Sequence, residues 1–206
     1  MNIAYDYGNN SLYLNITNQC CCNCSFCVRN DADGVHGHKL WLDHEPSVDE
    51  IKEAIIDAGL ETYEEVVFCG YGEPCCRLDA LLETGEFLKE LMAKSGKIGK
   101  KPIRLNTSGL SDLINGKRTA HLLAQCIDHV SISLNAPDAD IYYELCNPKY
   151  GRGSFDAMID FAKDCKACIK DVTLSVVKSA LDAEALERCH DLCARLELPL
   201  RVRTHA

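Results

Sequence analysis

Leu12-Tyr13-Leu14-Asn15-Ile16-Thr17-Asn18-Gln19-Cys20-Cys21-Cys22-Asn23-Cys24-Ser25-Phe26-Cys27 is the stretch that decides how this chain is read. Leu12 to Ile16 form a short apolar strand. It runs into a loop in which Cys20, Cys24 and Cys27 are spaced C-x₃-C-x₂-C. Thiolates are soft ligands that suit zinc or iron–sulfur clusters. A cubane cluster ordinarily takes four cysteines, so three closely spaced ones leave one iron open to another ligand. Cys21 and Cys22 lie inside the loop but outside that spacing.

Outward from this loop the pattern alternates strand and helix. Ser47 and Glu50 read as a capping box, followed by the helical stripe Ile51, Ala54, Ile55 and Ala58. A strand from Glu65 to Cys69 follows, then a helix carrying Leu81, Leu82, Leu88, Leu91 and Met92. Strands are expected at 102–106, 130–134, 172–177 and 200–203. Between them fall a helix at Leu122, Leu123, Cys126 and Ile127, one capped by Ser154, and one lined by Leu186, Cys189, Cys193 and Leu196. Six strands joined by helices imply an α/β domain of parallel strands with right-handed crossovers. The longest irregular stretch, Arg29 to Pro46, follows the cysteine loop and reads as a lid.

Composition narrows the function. The 206 residues suit one domain, 1–206, and the chain is 47% hydrophobic and 26% charged, as for a soluble globular protein. No run is apolar enough to span a bilayer, and no leader is legible at the N-terminus, so no membrane association is expected. Fourteen cysteines with metal-type spacing, in a chain read as leaderless, imply a reducing cytoplasm rather than a disulfide scaffold. A net charge of −9 makes a nucleic-acid partner unlikely. The densest basic run, Lys94, Lys97, Lys100, Lys101 and Arg104, reads as a solvated connection.

In parallel α/β barrels, ligands sit at the C-terminal ends of strands. Here those ends carry the cysteine loop, then Cys69-Gly70-Tyr71-Gly72-Glu73-Pro74, Asn106-Thr107-Ser108-Gly109, Ser133-Leu134-Asn135, and Arg203-Thr204-His205. The chemistry-bearing residues therefore fall on one rim. Arg29, Arg201, Arg203 and His205 are candidates for an anionic group there, with surface ion pairs an equal account. His36, His38 and Trp41 lie in the lid-like stretch. Cys165 with Cys168 and Cys189 with Cys193 have metal-compatible spacing but coincide with apolar helix stripes, where free cysteine packs as a small hydrophobe. Cys75 and Cys76 flank the Gly-rich turn.

The cysteine triad with Phe26 before its last member, together with Gly70-Tyr71-Gly72-Glu73-Pro74, resembles the radical S-adenosylmethionine (SAM) superfamily. More narrowly, Tyr7-Gly8-Asn9-Asn10, Cys27-Val28-Arg29-Asn30, Phe68 to Pro74 and Ser131 to Pro137 resemble the TatD-associated radical SAM proteins. The resemblance implies a partial (β/α)₆ TIM barrel with the cluster loop at 18–30. It implies a [4Fe–4S] cluster on Cys20, Cys24 and Cys27, whose open iron chelates the amino and carboxylate groups of SAM. An electron then splits SAM into methionine and a 5′-deoxyadenosyl radical that abstracts hydrogen from an unidentified substrate. Gly70, Tyr71, Gly72 and Glu73 would line the methionine end, with Gly72→Val expected to weaken SAM binding while sparing the cluster. Phe26 would lie near the adenine. Ser133, Asn135, Asn106, Thr107 and Val177 are further cofactor candidates, against loop capping and core packing.

Implied partners are an external electron donor and either a TatD-like hydrolase or a protein or peptide substrate. An open six-strand arc also leaves a sheet edge and one face in need of cover. Two alternatives share the triad: an activase that installs a glycyl radical on a partner protein, and a non-catalytic iron–sulfur or zinc module. The Gly-rich turn with Glu73 argues against the latter, because electron transfer needs no SAM pocket.

Overall fold

The computed structural model describes residues 1–6, 8–30 and 37–204. One seven-stranded sheet runs in chain order: β1 (Ala4–Asp6), β2 (Ser11–Leu14), β3 (Glu65–Phe68), β4 (Ile103–Thr107), β5 (His129–Ser133), β6 (Asp171–Val177) and β7 (Leu200–Arg203). β2 to β7 are parallel neighbours, as the strand–helix alternation requires. The architecture is a single-domain partial (β/α)₆ barrel with one strand added. That strand, β1, is antiparallel to β2 with Ala4 opposite Leu14 and Asp6 opposite Leu12. Its three residues are too few to show a period, so the sequence pattern did not reveal it. The tight return uses left-handed backbone at Gly8 and Asn10, and β1 covers the edge of β2 that a six-strand arc leaves open.

Helices α1 (Val48–Ala58), α2 (Leu78–Lys94), α6 (Ser154–Cys168) and α7 (Ala183–Leu196) supply the main crossovers. Ser47 accepts from the Glu50 amide at 3.2 Å while the Glu50 carboxylate accepts from the Ser47 amide at 2.8 Å, so the capping box forms. Two connections hold a second helix that the periodicity did not show. α3 (Ser111–Asn115) precedes α4 (Ala120–Leu123), and α5 (Ala139–Cys146) precedes α6. Both α3 and α4 are too short to display a stripe. Ser154 does not cap α6: it is buried in the first turn and its hydroxyl has no partner. No helix of the described residues is long and apolar enough to cross a membrane.

The sheet has two faces of different character, set by the two-residue period of its strands. One set of positions packs into the main core under the helices: Leu12, Leu14, Val66, Phe68, Ile103, Leu105, Val130, Ile132, Val172, Leu174 and Val176. The alternate positions form the inner face. On β1 to β3 this face is filled by Tyr5, Tyr13 and Val67 with Leu40 and Tyr71. On β4 to β7 it carries Arg104, Asn106, His129, Ser131, Ser133, Thr173, Ser175, Val177, Arg201 and Arg203.

Arg104 thus leaves the basic run in which the sequence placed it. It is buried on the inner face, 2.9 Å from Glu65, which also accepts from Ser11 at 2.6 Å. Lys101 is likewise drawn in, onto the Tyr63 carbonyl. Cys165 is a core residue whereas Cys168 is exposed, so that pair does not face one site, and Cys189 and Cys193 both pack in the main core.

Close helix packing gives a stability prediction. Gly85 lies inside α2, where a β-carbon would sit 2.8 Å from Cβ of Cys126. Alanine adds helix propensity of about 1 kcal/mol, but overpacking against a rigid atom costs about 1–3 kcal/mol. Gly85→Ala should lower the urea midpoint by a net loss of up to about 2 kcal/mol, and Gly85→Ala with Cys126→Ala should recover part of it. A raised midpoint in the single variant would contradict this packing.

Candidate cofactor-binding site

The cysteine loop is clamped from both sides. Asn18 exchanges hydrogen bonds with Leu42, at 2.7 Å to the carbonyl and 3.0 Å from the amide. Its own amide donates to Glu45 at 3.0 Å. On the other side the Asn23 amide donates to the Cys146 carbonyl at 3.0 Å and the Ser25 amide to Leu145 at 2.9 Å. Cys22 bridges Pro148, and Lys149 donates to the Cys21 carbonyl at 2.8 Å. This tethering sorts the thiols. Cys21 and Cys22 are buried in the core, Cys20 is exposed, and Cys24 and Cys27 are half-buried.

The same sorting appears in their acidity. Hydrogen bonds from Cys21 and Cys22 hold the Cys20 thiol down at about 3, helped by the Arg29 charge. Cys24 is held at about 4, chiefly by the Cys146 thiol and then by Cys22. The donors Cys21, Cys22 and Cys146 are correspondingly pushed up. The thiolate is the metal-binding form. Arg29 interacts with Cys27, donates to the Asn18 carbonyl at 3.3 Å and lies 5.8 Å over the Trp41 ring. No three His, Cys, Asp or Glu side chains among the described residues converge on a point fit for a single ion. A mononuclear zinc site would need such convergence, whereas a cubane takes each thiolate on a different iron.

The Gly-rich turn presses against this loop. A β-carbon on Gly72 would lie 2.3 Å from the Thr17 carbonyl and 2.6 Å from that of Gln19, and one on Gly70 would meet the Asn15 side chain at 2.0 Å. The glycines therefore serve the contact between turn and cysteine loop. Bulk at Gly72 would therefore press on the cysteine loop as well as on any ligand beside the turn. The Glu73 amide completes the joint by donating to Gln19 at 2.7 Å.

Glu73 itself is buried and raised in pKa, first by burial and then by the Cys20 charge. Its carboxylate accepts from Thr107 Oγ1 at 2.8 Å, the Ser108 amide at 2.6 Å and the Cys75 amide at 3.1 Å. The Thr107 hydroxyl is thereby taken up by Glu73 and faces the helices, not an open pocket. Tyr71 turns onto the aromatic cluster of the inner face, with Trp41 edge-on at 5.1 Å.

Asn106 and Asn135 behave differently. Each has a buried side-chain oxygen with no hydrogen-bond partner. Asn135 has left-handed backbone, donates its amide to the Ser175 carbonyl at 3.2 Å, and reaches Cys146 Sγ at 3.6 Å through Nδ2. Ser133 is half-buried and Val177 fully buried at the ends of their strands. Phe26 packs half-buried on the main core. The sequence reading missed Asn15, Ser108 and Cys146. Cys146 carries no local signal, because it meets Cys24 only through the fold. His38 packs 5.4 Å from the Tyr5 ring, Arg201 is exposed and Arg203 half-buried. Tyr7, His36 and His205 lie outside the described residues.

With this geometry in place, comparison with known proteins is informative. No curated protein sequence matches the chain. Among solved structures, it resembles SuiB from Streptococcus suis bound to its precursor peptide SuiA, at 18% identity and TM-score 0.63 over 91% of this chain and 37% of that one. It also resembles native anSMEcpe with bound AdoMet, at 20% identity and TM-score 0.65 over 92% and 50%. A radical SAM methyltransferase from Sphaerobacter thermophilus matches at 18% identity and TM-score 0.55 over 97% and 68%. At these identities the likeness is one of fold, and this chain spans half or less of the first two proteins. The family model described as the Radical SAM superfamily matches residues 14–190, most of the length. The chain belongs to the radical SAM superfamily.

Proposed function

We propose that this chain is a radical SAM enzyme that holds a [4Fe–4S] cluster on Cys20, Cys24 and Cys27 and SAM beside it. The observation that carries the reading is the sorting of thiols within one loop, three toward its surface and two into the core. When bound, the cluster and SAM supply reductive cleavage to methionine and a 5′-deoxyadenosyl radical that takes hydrogen from a substrate.

The chain's own residues set the conditions for that chemistry. Arg29 places a positive charge beside the thiolates. The exposed Cys20 leaves a route for an external electron donor. The Gly70 to Glu73 turn holds the loop's backbone in register. Asn106 and Asn135 offer buried amide oxygens that lack donors, which a ligand rich in hydroxyl and amino groups satisfies. Leu40, in the described part of the lid-like 29–46 loop, packs into the aromatic half of the inner face and limits water there, and Trp41 lies edge-on to Tyr71. The residues present therefore fit both cofactors. A non-catalytic module would not need the unpaired acceptors.

The TatD-associated subgroup, a TatD-like hydrolase as partner and a cytoplasmic setting are the parts of this proposal that rest on sequence resemblance and cysteine content. A protein or peptide substrate is favoured by one specific likeness, to SuiB with its precursor peptide.

Two experiments test the reading. Alanine at Cys20, Cys24 or Cys27 should abolish both the charge-transfer absorbance of the anaerobically reconstituted cluster and formation of 5′-deoxyadenosine from SAM under dithionite. Alanine at Cys21 should keep most of both. An essential Cys21 with a dispensable Cys20 would overturn the ligand assignment.

Gly72→Ala probes the joint. Its β-carbon meets backbone that has no side-chain freedom to yield, so iron content after reconstitution should fall several-fold, together with cleavage. Full iron loading with weakened SAM binding alone would instead place Gly72 against the cofactor.

A further inference from the structure

One exposed aromatic side chain is held more firmly than a surface position requires. Trp41 is the sole tryptophan of the chain and is 46% exposed. The backbone on either side of it is pinned. Asn15 Nδ2 donates to the Leu40 carbonyl at 2.6 Å. Asn18 takes Leu42 in both directions, at 2.7 Å and 3.0 Å. The ring is placed as well: Tyr71 meets it edge-on at 5.1 Å, and the Arg29 guanidinium lies 5.8 Å from its centroid. Single exposed apolar residues are ordinary on protein surfaces. One fixed on both flanks and set between two partners calls for an explanation.

Arg29 supplies it. It belongs to a single helical turn, Val28–Asn30, that directly follows the last cysteine of the loop. The turn is drawn back onto that loop. The Asn30 amide donates to the Cys27 carbonyl at 2.9 Å, and its side chain donates to the Cys24 carbonyl at 3.1 Å. Arg29 donates to the Asn18 carbonyl at 3.3 Å. Asn18 thus holds both members of the pair, Arg29 through its carbonyl and the Trp41 segment through its side chain. The charges that bear on the guanidinium are those of Cys27, Cys20 and Cys24. An arginine is always charged, and its flat guanidinium stacks on an aromatic face.

We propose that Trp41 is a positioning residue: its ring holds the Arg29 guanidinium beside Cys27, and the charge so placed raises the reduction potential of the cluster. Groups behind the ligands tune a bound metal, and iron–sulfur potentials depend on net charge and solvent exposure. The reduced cluster carries one electron more than the oxidised one, so a fixed positive charge favours it. Without the ring, the guanidinium is free to swing into water, where screening weakens its effect. This inference rests on the radical SAM reading for the cluster on Cys20, Cys24 and Cys27.

The potential is measured apart from catalysis. The midpoint of the reconstituted cluster is read by anaerobic redox titration followed by electron paramagnetic resonance, without SAM. Arg29→Gln should make reduction about tenfold less favourable, a midpoint about 59 mV more negative for one electron. Trp41→Leu leaves the charge and removes the ring, so it should move the midpoint the same way by less. Trp41→Phe keeps a ring and should lie nearer the parent. The double variant Arg29→Gln with Trp41→Leu should fall no further than Arg29→Gln alone, because Trp41 acts through Arg29. Where a variant takes up no cluster, the fluorescence of the cluster-free chain decides: Arg29→Gln should increase quenching of Trp41 by acrylamide, since the ring loses its cover. An unchanged midpoint in Arg29→Gln, additive shifts in the double variant, or unchanged quenching in the cluster-free chain overturns the proposal. A shifted midpoint in a chain that does not cleave SAM would sink the radical SAM reading alone. SAM cleavage with an unmoved midpoint would sink this one alone.

Discussion

The contact between the Gly-rich turn and the cysteine loop is the joint on which the rest of the site depends. Gly72 lies against the Thr17 and Gln19 carbonyls with no room for a β-carbon, and the Glu73 amide donates to Gln19. Backbone meets backbone there, so the geometry is fixed without reliance on side-chain rotamers. The Glu73 carboxylate extends the joint to β4 through Thr107 and Ser108. The loops after β2, β3 and β4 are thereby tied to one another. A buried carboxylate is tolerated because two backbone amides and a hydroxyl donate to it. The acid and the glycine are thus two parts of one clamp, one chosen for its charge and the other for its missing side chain.

A second constraint acts through the sheet. Alternation commits every other residue of β4, β5 and β6 to the helix-covered core, where nearly all are branched aliphatic. That packing fixes the frame and frees the intervening positions from any duty to the core. Leu40 and the aromatic residues occupy the β1 to β3 side of the inner face, where Tyr13 also receives the Arg104 guanidinium at 3.4 Å. The polarity that remains on β4 to β7 is then a property of the chain's chemistry rather than of its folding.

Legibility in the sequence followed the range of the interaction. The six parallel strands and the Ser47 cap were readable because each shows in a pattern of a few residues. β1 was not, being three residues that pair only when the chain turns back at Gly8 and Asn10. Arg104 misled because charge density along the chain says nothing about strand parity, and its partner Glu65 stands on the next strand. Gly72 was read as making room for a ligand; that the chain's own Thr17 and Gln19 carbonyls also need the room is something no local pattern reveals. Cys146 escaped altogether, since its role arises from the β5 to α6 connection folding onto the cysteine loop.

The thiol content follows from these same placements. Desolvation pushes the buried cysteines up, Cys193 to about 11, Cys189 to about 12 and Cys75 well above its ordinary value, which leaves them inert space-filling groups at neutral pH. Only in the cysteine loop do neighbouring thiols and Arg29 act in the opposite direction, on Cys20 and Cys24. Cys21, Cys22 and Cys146 therefore have a use although they face the core. As un-ionised donors they favour the anionic form of the two thiols that turn outward. Reactivity is thus decided by which face of one short loop a cysteine occupies. That face is set in turn by the tethers Asn18–Leu42 on one side and Asn23–Cys146 on the other.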